Sequence, residues 1–274
     1  MIDYARKNEQ ILAEWKSASK TNGDDENAFV DDGLLFRGDI YYEDGIWKRK
    51  RNRNPAKENE LWNSSFPRIM LITKEYNDRD DDSGYVDLRQ ETLRYNYTGK
   101  DDVRTSQLRF HTNMMYHVFG LGNYIDGQCP SWDELKLDKS RLFYESCPLV
   151  RINVKKQAGG GSVSDSTLKE YIERYKQYLN QQILLFDADI IVCYGRVIFD
   201  YFIQEFFPNI KTLKEDPWVY FSEEKQKVII NSYHPSVRSN TISDEQFYTC
   251  PIKEFEEMMH SHPEFAAKYL NHRR

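Results

Sequence analysis

TLKEYIERYKQYLNQQILLFDADIIVCYG, Thr167 to Gly195, changes periodicity partway along. Its first part sets Leu168, Ile172, Tyr175, Leu179 and Ile183 on one stripe, as in a helix that buries one face. Thr167 and Glu170 stand in capping-box spacing at its start. Its last part, ADIIVCYG, is a short apolar run rich in Ile and Val, the composition of a strand buried on both faces. A helix that leads directly into such a strand is half of a crossover unit, and crossovers build parallel sheets covered by helices.

Three more runs share that composition: RIMLIT (Arg68 to Thr73), LVRINV (Leu149 to Val154) and KVIINSY (Lys227 to Tyr233). Helical patterns lie between them, including RVIFDYFIQEFF after Gly195. WVYF, Trp218 to Phe221, closely precedes KVII and is expected to pair with it as a hairpin. Residues 3–20 read as a helix with Ile11, Leu12 and Trp15 on one stripe. Residues 21–33 are acidic and read as loop. LLFRGDIYYEDGIWKRKRNRN reads as a hairpin-like segment with Asp44-Gly45 as its turn. Residues 77–87 read as a long polar loop, and residues 103–120 as a helix with Leu108, Met115, Val118 and Phe119 as apolar positions. EQFYTCPIKEFEEMMH is helical, with Pro251 expected to interrupt it. The expected fold class is α/β.

The 274 residues suffice for a substantial core. Lys plus Arg is 38 and Asp plus Glu is 44, a net charge of −6 that argues against wholesale coating of nucleic acid but leaves room for a local basic groove. The four cysteines form no CxxC pair, so neither a disulfide framework nor a zinc site is expected. The polar start MIDYARKNEQ has no signal-peptide pattern, and no run reaches the roughly 20 apolar residues of a membrane span. A cytoplasmic, monomeric protein without metal or cofactor is expected.

Each apolar run ends in chemically usable residues. Lys74, Glu75, Tyr76 and Asn77 follow the first. Asn153, Lys155, Lys156 and then AGGGS close the second, and Gly195 and Arg196 follow the third. His234, Pro235 and Ser236 follow the fourth. Parallel strands would bring all four sets to one rim, where open α/β sheets bind ligands. His234 has two readings, a turn cap or a donor to a developing anion. Glu75 is either a surface carboxylate or a general base. Gly159, Gly160 and Gly161 lack the lysine of a nucleotide-phosphate loop. KRKRNR, Lys48 to Arg53, follows Trp47 and is either a solvated run or a phosphate contact.

From about Pro67 to Asn240 the chain resembles the uracil-DNA glycosylase superfamily. His234-Pro235-Ser236 matches its second motif, Asn153-Val154-Lys155-Lys156 its strand-two segment, and Lys74-Glu75-Tyr76-Asn77-Asp78 occupies its first loop. The resemblance is greatest to the iron-sulfur branch. It implies an α/β/α sandwich around a four-stranded, mainly parallel sheet at residues 67–242, an N-terminal helical and hairpin extension at 1–66, and a C-terminal helical tail at 243–274. It implies a protein of DNA base excision that hydrolyses the N-glycosidic bond of a flipped uracil or damaged base, in single-stranded or uracil-containing DNA. His234 would stabilise the departing base and Glu75 would position water. Asn153, Tyr76 and Asn77 would bind the base, with Tyr76, Tyr85 or Phe110 as the stacking aromatic. Lys155, Lys156, Ser236 and Arg238 would contact the nucleic acid. Asp81 would be a further acidic residue of the first loop.

The departures are specific. The first loop lacks the branch's glycines and proline, and Tyr76 stands where other branches carry a catalytic Asp or Asn. Val237 and Arg238 replace the proline and leucine wedge. Gln157 stands where a cluster cysteine is expected, so no cluster is anticipated. A binding module using the same cleft for a nucleic acid, nucleotide or nucleobase is the alternative expectation.

Overall fold

A computed structural model describes residues 2–35, 40–43, 46–49, 54–77, 86–90, 109–159, 163–210, 215–238 and 240–271. The first half holds α1 (Tyr4–Thr21), β1 (Val30–Asp31), β2 (Gly33–Leu34), β3 (Ile40–Glu43), β4 (Ile46–Arg49), α2 (Pro55–Ser64), β5 (Ile69–Thr73), β6 (Val86–Asp87) and α3 (Arg109–Gly122). There follow α4 (Leu137–Ser146), β7 (Leu149–Asn153), α5 (Asp165–Phe186), β8 (Ile190–Tyr194), α6 (Arg196–Phe206), β9 (Val219–Ser222), β10 (Lys227–Ser232), α7 (Asp244–Ser261) and α8 (Pro263–Asn271).

The four apolar runs become β5, β7, β8 and β10, the parallel centre of a sheet ordered β2-β7-β5-β8-β10-β9. The expected hairpin of WVYF with KVII is present as β9 against β10, and β3 pairs antiparallel with β4. The sheet has six strands, not four. The strand that went unread, β2, runs antiparallel on β7. Two residues carry no legible period, and the expected boundary between the acidic loop (21–33) and the hairpin-like segment fell between Gly33 and Leu34. Gly33 itself is required: at φ +124° a Cβ would lie 2.5 Å from Asn8 Nδ2.

Alternation splits the strand residues between two cores. Met70, Ile72, Val150, Ile152, Ile191, Cys193 and Ile229 face α1, α2, α5 and α6. Ile69, Leu71, Leu149, Ile190, Val192, Tyr194, Val228 and Ile230 face α3, α4, α7 and α8. Helices thus pack on both faces of a mainly parallel sheet, and the strands' continuous apolar character follows from burial on both sides. Among the described residues no helix is long and apolar enough to cross a membrane.

Two helix boundaries differ from expectation. The cap of α5 is Ser164, whose Oγ accepts from Thr167 N at 3.1 Å, so the helix starts ahead of the Thr167 box. Pro251 lies inside α7 without ending it. Proline has no N–H to donate to the carbonyl four residues earlier, Phe247 O. That carbonyl is satisfied by His117 Nε2, which donates to it at 2.8 Å. His117 Nδ1 accepts from Tyr194 O–H at 3.2 Å, and its ring stacks on Phe247 with centroids 4.6 Å apart.

Burial lowers the His117 pKa from its ordinary 6.5 to about 4. The unfolded chain therefore takes up a proton that the folded chain refuses, and stability falls with pH between those two values. The expected loss is about 3 kcal/mol by pH 4 at a constant 1.36 kcal/mol per unit. Urea denaturation of wild type and His117→Gln at pH 7, 5.5 and 4 measures it: the extra acid slope belongs to wild type.

Candidate functional site

The C-terminal ends of the four parallel strands meet at one edge. At the last ladder level Thr73 pairs with Asn153 and Tyr194 with Ser232. Ile72 against Cys193, one step earlier, puts β5 and β8 at the same height. By alternation all four side chains lie on the face covered by α3 and α7. The result is a polar row, Asn153–Thr73–Tyr194–Ser232, with strands about 4.8 Å apart.

His234 stands two residues beyond Ser232, and α3 fixes its loop. Asn113 Nδ2 donates to Pro235 O at 2.8 Å, and Arg109 Nη2 donates to Ile242 O at 2.9 Å. Arg109 also bonds Val237 O and Asp244. Ser236 N donates to His234 Nδ1 at 3.3 Å, so a neutral ring carries its proton on Nε2. Burial, with the Lys74 and Arg151 charges adding to it, lowers the His234 pKa to about 4. The ring is neutral at pH 7 and Nε2–H is a donor. Phe110 lies beside it, with ring centroids 5.6 Å apart, and the Arg151 guanidinium carbon lies 5.1 Å from the Phe110 ring centre.

Asn153 is fully buried, and its amide is oriented from one side: Thr73 Oγ1 donates to Asn153 Oδ1 at 2.5 Å. Its backbone N–H donates to Asp32 Oδ2 at 2.7 Å. Asn153 Nδ2 and the buried Ser232 Oγ have no hydrogen-bond partner. Both atoms belong to the polar row at the strand ends.

The loop after β5 is bonded to the loop after β7. Lys155 N donates to Lys74 O at 2.8 Å and Gly159 N to Tyr76 O at 2.9 Å, and Asn77 bridges to Gly159. Glu75 Oε2 sits 2.6 Å from Lys155 Nζ, which also donates to Gln157 O at 2.9 Å. A Cβ on Gly159 would lie 2.8 Å from Glu75 Oε2, so glycine there admits the carboxylate. Lys74 runs past Gly195 to Asp165 at the start of α5, 2.9 Å away.

Several expected site residues are placed differently. Lys156 is a correction: its ammonium is fully buried, 2.5 Å from Asp32 Oδ1 and 2.9 Å from Gln182 Oε1, and cannot reach a phosphate. It serves the edge of the sheet, where Asp32 also holds the Asn153 backbone. Lys155 is directed inward to Glu75 rather than outward to solvent. Tyr76 packs on the cluster of Val30, Val86 and Leu88, so the aromatic placed beside His234 is Phe110. Gln157, at the expected cysteine position, accepts through Oε1 from Tyr171 O–H at 2.5 Å. Asn77, Ser236 and Arg238 are exposed along the rim. Asp78, Asp81, Tyr85, Gly160, Gly161, the Asp44-Gly45 turn and Lys50 to Arg53 lie outside the described residues.

Sequence reasoning passed over Arg151, Thr73 and Ser232. Arg151 was legible, because an arginine in the middle of the buried run LVRINV needs a reason. Thr73 and Ser232 were not, since small hydroxyl residues at strand ends are ordinary. Among the described residues no group of three His, Cys, Asp or Glu side chains could hold a metal ion. Compared with known proteins, the chain matches no family model and no curated protein.

Proposed function

We propose that this chain is a uracil-DNA glycosylase-like protein that hydrolyses the N-glycosidic bond of a base flipped out of DNA. The observation that carries the reading is a neutral His234, with its proton on Nε2, at the same strand-end rim as the buried Asn153 amide. A departing base takes up negative charge on its carbonyl oxygen, and a fixed neutral N–H donor stabilises that charge. The Arg151 guanidinium beside Phe110 adds positive potential to the same region. Phe110 offers a face for the base to stack on. Glu75 supplies a carboxylate to face the cation-like sugar and orient water, and exposed Arg238 is available for a phosphate.

The Glu75–Lys155 ion pair favours a second reading, a nucleobase- or nucleic-acid-binding module with little hydrolysis. Glu75 Oε2 is already engaged by the Lys155 ammonium and is held away from a water it would have to orient. Single- and double-stranded oligonucleotides containing one uracil, incubated with the protein and then cleaved with alkali at abasic sites, separate the two. Base release by wild type, slowed about tenfold or more in Glu75→Gln, is the expected result; a general base contributes roughly 10²-fold or more when fully engaged. Uracil-dependent binding without any alkali-sensitive product would establish the module instead.

A further inference from the structure

We propose that the outer edge of the sheet, β9, docks an extended basic segment of a partner protein, which adds to the sheet as a further strand. β9 is the outermost strand and pairs with β10 on its inner side. The bond from Asn231 N to Trp218 O fixes which backbone groups face which way. With that register, Trp218, Tyr220 and Ser222 face β10, and Val219 and Phe221 direct their N–H and C=O groups outward. Glu254 Oε2 accepts from Trp218 N at 2.7 Å and from Val219 N at 3.1 Å. Among the described residues no hydrogen bond engages the Phe221 N–H, the Phe221 C=O or the Val219 C=O. One donor and two acceptors thus face the position of an added strand.

A groove of about 770 Å³ lies along these groups, and its two walls differ. Phe206, Phe207 and Ile210, at the end of α6 and just beyond it, belong to the core on one face of the sheet. Glu254, Glu257 and Met258 of α7 come from the other face. Side chains of an added strand alternate between the two walls. Apolar residues would meet the α6 side and basic residues the α7 side. Charge selects the partner. Among the described residues Glu223, Glu224, Glu254 and Glu257 line the groove against one lysine. That lysine, Lys225, donates to Phe206 O at 2.7 Å and lies over the Phe207 ring. A second copy of this chain would bring the same glutamates to the contact, and juxtaposed like charges cost affinity. Thr73, Asn153 and His234 are not among the lining residues, so the inference is independent of the base-excision reading.

Fluorescence anisotropy with labelled Lys-Val-Lys-Val-Lys-Val tests this on the full chain, with Glu-Val-Glu-Val-Glu-Val and Lys-Pro-Lys-Pro-Lys-Pro as controls. The proline peptide keeps the charge but cannot donate a full ladder. Wild type is expected to bind the Lys-Val peptide at least tenfold more tightly than either control. Glu223→Lys combined with Glu224→Lys, at two exposed positions that leave the core untouched, is expected to lose at least tenfold. Saturating peptide should slow hydrogen exchange at the Phe221 N–H, which charge attraction alone would leave unchanged. Failure to bind the Lys-Val peptide, equal affinity for the Lys-Pro peptide, an unaffected double variant or unaltered exchange at Phe221 would overturn the proposal. A concentration-dependent dimer in sedimentation that protects Phe221 without peptide would also overturn it, by making a second copy the occupant.

Discussion

His234→Ala is expected to slow base release by roughly 10²–10³-fold, the cost of removing one preorganised donor from a developing oxyanion. DNA affinity should change little, because the donor acts chiefly as charge builds on the leaving base. The loss belongs in kcat, measured in single turnover with enzyme in excess. Position and protonation state lead to the same expectation. Nδ1 is held by Ser236 N–H, and the lowered pKa keeps the ring neutral. The pH dependence follows from that value. A histidine with an ordinary pKa would change charge near 6.5. Here the active neutral form persists until about pH 4, so the rate should show no inflection at 6.5 from this residue. An unchanged rate in His234→Ala would remove the residue from the mechanism.

The largest expected effect on stability lies in the buried pair behind Asn153. Asp32→Ala leaves the Lys156 ammonium fully buried without its carboxylate, and deprives Gln182 Nε2 and Asn153 N of an acceptor. Breaking one partner of a buried pair costs about 3–5 kcal/mol. Burial already lowers the Lys156 pKa against the Asp32 attraction that raises it, so without Asp32 the lysine is driven further toward its neutral form. The folded variant then binds fewer protons than its unfolded chain, and its stability should rise with pH. Urea denaturation followed by tryptophan fluorescence at pH 6 and pH 9 measures both effects. Asp32→Leu combined with Lys156→Met should recover most of the loss, since apolar replacements for a buried pair are often neutral or better. A variant as stable as wild type, with no added pH slope, would show that the pair contributes little.

These two residues illustrate how differently the chain could be read. His234 was legible because an imidazole, a proline and a serine directly follow an Ile-rich run, and the run itself announced a strand end. Asp32 was not, because it lies near the end of an acidic stretch without a period, residues 21–33, that reads as loop. Its carboxylate is nonetheless fully buried. Lys156 was misjudged for the same reason: two adjacent lysines look alike on paper, and burial alone separates the one that neutralises Asp32 from the one that meets Glu75. Pro251 was read as a break on the sound ground that it removes a helix hydrogen bond. Only the tertiary partner His117 explains why the helix continues.

By itself the sequence determined the α/β class, the four parallel strands, their order along the chain and the polar residues at their ends. All of these follow from hydrophobic periodicity, which is local and survives without knowledge of neighbours. The tertiary structure alone decided the outer strands of the sheet, the choice of Phe110 beside His234, the orientation of the Asn153 amide and the fate of each rim lysine. Those depend on contacts between segments far apart in the chain, where a single hydrogen bond or a neighbouring carboxylate decides whether a side chain turns inward or remains at the surface.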